Sequence, residues 1–223
     1  MLQINKNIYV TCMKNTILYV GIDPSINSTG ITIARYENNV EVEIKFYIIK
    51  NGKLTKRESA ANDSIDNFEY IIYNKIDLTQ FKDDNHVFEY YKTKNMVEVV
   101  NTIYDLILNE VKKYASAVNV VIEGISYGSS IRTKSVFDLA GLNYMIRYKL
   151  ITGDIQHLNL SIATPSNIKK YATGKGNANK ESIMTIFKYI FPEMQNIPKL
   201  DDIADSYFMA MFSRDIECKN TEK

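Results

Sequence analysis

The chain has 223 residues, of which 45% are hydrophobic and 24% charged, with a formal net charge of +1. That balance suits one large globular domain, or one carrying a sizeable insertion, and excludes a disordered or collagen-like chain. No apolar run reaches transmembrane length and the polar start is unlike a signal peptide, so a soluble protein of the cytoplasm is expected. Cys12 and Cys218 lack metal-ligand spacing and read as free thiols, while His86 and His157 stand apart in sequence and read as surface or packing residues.

Residues 1–16 read as an N-terminal extension. From Ile17 to Arg35, ILYVGIDPSINSTGITIAR carries an apolar run bounded by Gly21, Pro24 and Gly30, and nothing in it repeats at helical spacing. It reads as a strand, a tight turn and a second strand. Asp23 then falls at the C-terminal end of the first strand, where a sheet offers its functional rim. Val40 to Lys50 begins with clean alternation and reads as the third strand of a meander.

Residues 51–93 read as a polar, acidic insertion broken by FEYIIYNKI and HVFEYY, each a short helix or strand; no chemistry is assigned to it. Met96 to Tyr114 is helical, with Val97, Val100, Ile103, Tyr104, Ile107, Leu108 and Val111 at i, i+3, i+4 spacing. Val118 to Glu123 is a short β-branched strand that again ends in an acid. A Gly/Ser-rich loop leads to a helix around Lys134–Leu150, and Leu158–Ala163 reads as a further strand. A short basic helix follows Pro165. Beyond Gly174 and Gly176 another helix begins near Ala178, and the last starts at Asp201 and Asp202, with a charged tail from Glu217. Strands alternating with helices imply a mixed sheet with helices packed against it.

Asp202 and Asp205 share one helix face by their three-residue spacing. Acids at a helix start are also favoured by capping and the helix dipole, and Asp201 reads as such a cap. If Asp23, Glu123, Asp202 and Asp205 meet, each pair at roughly 4 Å repels by about 4 kcal/mol at an effective dielectric constant near 20. A fold tolerates that by protonating some acids or by binding cations. Oxygen ligands without Cys or His point to Mg²⁺ or Mn²⁺, and a carboxylate-held metal pair suits in-line attack on a phosphodiester. Between residues 131 and 180, eight Lys/Arg stand against two acids, whereas Glu58 to Tyr90 holds eight acids against two Lys. The GKG stretch, with Lys175 and Lys180 beside exposed N–H groups at a helix start, fits a phosphate site. It is not a Walker A loop, because no Ser or Thr follows the lysine.

In this order the blocks GIDPSINSTGI, VVIEGISY, PSNIKKYATGKGNANKE and DDIADSYFMA resemble the RuvC-type Holliday-junction resolvases of the RNase H-like superfamily, especially phage and viral members. The likeness runs from residue 17 to about 212 and leaves 51–93 unmatched. It implies an α/β, RNase H-like fold with a central mixed five-stranded sheet, three antiparallel strands first, in a nuclease domain over 17–216. It implies a homodimer making paired cuts in branched DNA, inside the cell or, for a viral member, the host cell. By the same likeness Asp23, Glu123, Asp202 and Asp205 are the metal-binding catalytic acids. They would hold two Mg²⁺, with Mn²⁺ as substitute, and no organic cofactor. Lys175 and Lys180 would contact DNA, joined by Arg132 and Lys134 of the basic stretch. The chain departs from the family pattern at Ser25, where many members have glycine. It departs again at Ser126, where bacterial members often carry an aromatic; Tyr127 next to it is the candidate base-stacking side chain. Three rival readings are a general branched or flap DNA nuclease, a non-catalytic DNA-binding module, and a phosphotransferase of the actin and sugar-kinase type. The last needs two such domains, for which the chain leaves little room.

Overall fold

The computed structural model describes residues 15–115, 117–125 and 134–221, without the side chains of 134, 135 and 217–221. Cys12, Ser126, Tyr127 and Arg132, and the side chains of Lys134 and Cys218, lie outside the described residues.

The chain opens with an antiparallel meander of β1 (Thr16–Asp23), β2 (Ser28–Glu37) and β3 (Val40–Asn51). There follow α1 (Lys56–Ser64), β4 (Phe68–Tyr73), a 3-10 turn at Leu78–Phe81, α2 (Asn85–Tyr114), β5 (Ala117–Glu123) and α3 (Lys134–Thr152). β6 (Leu158–Ala163), α4 (Pro165–Thr173), α5 (Lys180–Ile190), a 3-10 turn at Pro192–Met194 and α6 (Leu200–Thr221) complete it. The sheet order is β4-β3-β2-β1-β5-β6. β2 runs antiparallel to both neighbours, and the other adjacent pairs are parallel. No helix among the described residues is long and apolar enough to cross a membrane.

The fold is therefore the expected α/β arrangement with one correction: the sheet has six strands, not five. The sixth is β4, the FEYIIY of the acidic segment. α1 acts as the crossover that returns the chain parallel to β3. It starts at a capping box in which Glu58 N–H donates to the Thr55 hydroxyl and Thr55 N–H to the Glu58 carboxylate. Glu58, buried, also takes an ion pair from Lys50 on β3 at 2.6 Å. HVFEYY belongs to α2, which begins at Asn85 behind the Asp84 cap. At the other end, α6 carries the helical backbone on to Thr221, into what reads as a charged tail.

Side chains alternate across the sheet and so divide two cores. Leu18, Val20 and Ile22 of β1 face α2 and α3, whereas Tyr19 faces α4, α5 and α6. On that second face Phe46 of β3 meets Phe187 of α5 edge-on at 5.9 Å, and Tyr207 of α6 packs against both. α6 lies almost against the backbone of the meander. A Cβ on Gly21 would stand 1.9 Å from the Ser206 carbonyl oxygen, and one on Gly30 would stand 2.2 Å from that of Asp202. Only glycine allows this approach. The helix is fixed in register by a buried hydrogen bond of 2.8 Å between the hydroxyls of Thr32 and Ser206.

Candidate active site

The same alternation places the acids. Asp23 is two residues beyond Gly21 and Glu123 two beyond Val121, so both project to the α6 face, at the C-terminal ends of adjacent parallel strands. α6 begins over β2 and brings Asp202 and Asp205 to the same rim, one helical turn apart. All four are half-buried. Asp23 and Glu123 share a hydrogen bond, and Asp23 lies within the electrostatic reach of Glu123, Asp205 and Asp202.

Burial is the main reason the carboxyls bind protons more tightly than free ones do. Asp23 is raised well above the ordinary range by burial, then by the charges of Glu123, Asp205 and Asp202. Glu123 is pushed up to about 7 by burial and Asp205, against the pull of Lys169 and Lys180. Asp205 is pushed up to about 6, again by burial first, with Lys180 opposing. Asp202 is raised by burial and restrained by the hydrogen bond it accepts from the Ser28 hydroxyl. Buried acids that raise one another are a set held at an electrostatic cost, which a bound cation relieves.

Three further residues serve the acids without having been singled out in the sequence. Ser28 opens β2 on the α6 face and orients Asp202. Asn143 of α3, buried, donates to the Glu123 backbone carbonyl at 2.8 Å and fixes the end of β5. Lys169 of α4 acts on both Glu123 and Asp205. Its helix is placed by the Thr164 cap, Pro165 in its first turn and Gly174 at its end with φ of 78°. Of the expected DNA contacts, Lys175 is exposed in the loop between α4 and α5. Lys180 starts α5 and is ion-paired with Asp201. Asp201 is therefore not simply a cap: it sits within the first turn of α6 and ties that turn to α5.

A sequence model described as "Crossover junction endodeoxyribonuclease RuvC" matches residues 84–212, more than half of the chain. The chain belongs to the RuvC family. A curated RuvC from Finegoldia magna is 27% identical over 192 residues, spanning 86% of this chain and 89% of that protein. Among solved structures, Thermus thermophilus RuvC aligns over 91% of this chain and 96% of its own at 14% identity, with a TM-score of 0.43. The yeast mitochondrial Holliday junction resolvase aligns over 88% of this chain and 76% of its own at 15% identity, with a TM-score of 0.44. In this RuvC-family chain the donor set fits a hard divalent cation, being carboxylate oxygen throughout. Among the described residues, no three His, Cys, Asp or Glu side chains stand close enough together to hold a metal ion as they are placed. The rim is thus a group of mutually repelling acids on three elements.

Proposed function

We propose that this chain resolves four-way DNA junctions as a homodimer, each copy hydrolysing one strand at Asp23, Glu123, Asp202 and Asp205 with two Mg²⁺, or Mn²⁺ in their place. The activity class, structure-specific cutting of junction DNA, comes with the family. The observation that carries the site is the convergence of four acids from β1, β5 and α6 on one rim, each raised by burial.

Divalent cations held there would activate a water and stabilise the leaving 3′ oxygen, leaving 5′-phosphate ends. The chain's own groups prepare that chemistry. Ser28 orients Asp202, Asn143 holds the strand end that carries Glu123, and the hydrogen-bonded Asp23–Glu123 pair would lose its proton on holding a cation. Lys169 and Lys180 bring positive charge to the same rim, where a phosphate must approach the acids. The exposed Lys175, with Arg132 and Lys134 of the basic stretch, extends the proposed DNA contact. Paired cuts call for two sites, and a second copy is what supplies them. In support, α3 exposes Phe137, Tyr144, Tyr148 and Ile151 on one stripe, an apolar face suited to a two-fold contact. The same reading takes the chain as a phage or viral member working on DNA inside the cell, supported by the likeness of its four sequence blocks.

The test is incubation of the purified protein with a fixed four-way junction, with and without Mg²⁺, beside matched duplex, flap and Y-shaped DNA. Symmetric paired cuts that vanish without metal, and vanish in Asp23→Asn while junction binding survives, support the reading. Equal cutting of flaps and Y-shapes makes the protein a general debranching nuclease. Cutting by Asp23→Asn removes that residue from the mechanism.

A further inference from the structure

The segment from Asn51 to Phe88 does more than extend the sheet. β4 is parallel to β3, and β3 to β1, so Asn51 and Tyr73 end at the same rim as Asp23. At roughly 4.8 Å per strand, the ends of β3 and β4 stand about 10 and 14 Å along the rim from β1. The loop leaving β4 joins Asn51, Gly52 and Phe88 in lining an open cleft of about 490 Å³, together with Asn74, Lys75 and Lys82.

The walls of this cleft are fixed. The buried Asn95 of α2 accepts from Ile76 N–H at 2.8 Å and donates to the Ile76 carbonyl at 3.0 Å. The Tyr73 hydroxyl donates to the carbonyl of Ile26, in the turn that follows Asp23, at 3.5 Å. The loop is thereby held to both α2 and the catalytic turn.

The charge of the segment is unevenly placed. Glu58 to Tyr90 holds eight acids and two lysines; both lysines, Lys75 and Lys82, line the cleft, and of the eight acids Asp77 lines it with them. Several of the acids are already engaged: Glu58 by Lys50, Glu89 by Lys92, and Asp77 and Asp84 by backbone N–H groups that they cap. Asp66 and Glu69 line a separate cleft with Glu110. Lys75 is exposed and in no ion pair among the described residues. The acids of the rim thus lie between two basic flanks, Lys169 and Lys180 on one side and Lys75 and Lys82 on the other.

We propose that this cleft is a phosphate-backbone subsite for a DNA arm, with Lys75 and Lys82 supplying charge and the amides of Asn51 and Asn74 supplying donors. It rests on the reading that the four acids mark the point of cutting. At a rise of 3.4 Å per base pair, its distance along the rim corresponds to about three to four base pairs from the scissile phosphate.

The experiment measures binding of a fluorescent four-way junction by anisotropy between 50 and 200 mM salt, without divalent cations, for the full chain and for Lys75→Ala/Lys82→Ala. Two lost phosphate contacts lower the slope of log K against log salt by about 1.8, so the unaltered chain loses about 12-fold more affinity across that range. Lys112→Ala, exposed in the last turn of α2 and about 40 Å along that helix from Asn85, is the control that leaves the slope alone. An unaltered slope and affinity in the double variant overturns the subsite, as does an equal loss in Lys112→Ala. A protein that binds but never cuts sinks the catalytic reading and leaves the slope comparison decisive. One that binds no DNA sinks both.

Discussion

Gly30→Ala tests how the site is assembled. Gly30 pairs with Asp23 across β1 and β2, and a Cβ there would meet the Asp202 carbonyl oxygen at 2.2 Å and its carbonyl carbon at 2.5 Å. Ordinary contact begins at 3.4 Å, so the first turn of α6 must retreat by about 1.2 Å. The Asp202 side chain is held to Ser28, on the same strand as Gly30, so the helix cannot retreat without straining the acid. Overpacking of this kind costs about 1–3 kcal/mol, or about 2–12 °C in Tm for a domain of this size. A displacement of about 1 Å in a positioned catalytic group lowers the rate by about 100-fold. Single-turnover cutting of a four-way junction, well below the variant's melting temperature, separates the two effects. If Gly30→Ala melts within 1 °C of the unaltered protein and cuts within two-fold, the glycine contact does not set Asp202 and the reasoning fails.

Two other outcomes follow from the site and its surroundings. Glu123 at about 7 and Asp205 at about 6 bind protons more tightly folded than unfolded. Their contribution to stability is present below about pH 4 and is lost as pH rises through those values. In EDTA, the Tm gap between Asp205→Asn and the unaltered protein therefore widens in the variant's favour from pH 5 to pH 7.5, and Mg²⁺ closes it by stabilising the unaltered protein; a gap that ignores pH and metal refutes the shared-burden account. Asn95→Ala removes both bonds to Ile76 and leaves backbone groups unpaired, at about 1–3 kcal/mol. Limited proteolysis then shows faster nicking within residues 74–79, and unchanged nicking means that Asn95 does not hold the loop.

The four acids were legible because each sits at a point that sequence marks. Two end short apolar strands, and two share a helix face. Counting in twos from Gly21 and Val121 even gives the face of the sheet. Ser28 could have been found by the same count, two residues before Gly30, but a serine in a turn-like stretch carries no signal of its own. Lys169 was hidden beside Lys170, since only the start of α4 at Pro165 decides which of them looks toward the acids. β4 was illegible as a sheet strand because its place depends on α1, whose polar face and Glu58–Lys50 pair give no apolar period. The first turns of α2 were hidden by the polar residues around HVFEYY, where Asp84 capping and the stacking of Phe81 on Tyr91 at 4.3 Å replace a regular stripe.

α6 is at once the cover of one sheet face and the bearer of half the acids. A nascent chain halted before residue 200 therefore lacks both a closed core and two of the four acids of the rim. With the cut proposed at those acids, the nuclease would not exist ahead of its fold, and an unfinished or clipped copy would lose its activity for the same reason that it loses its stability.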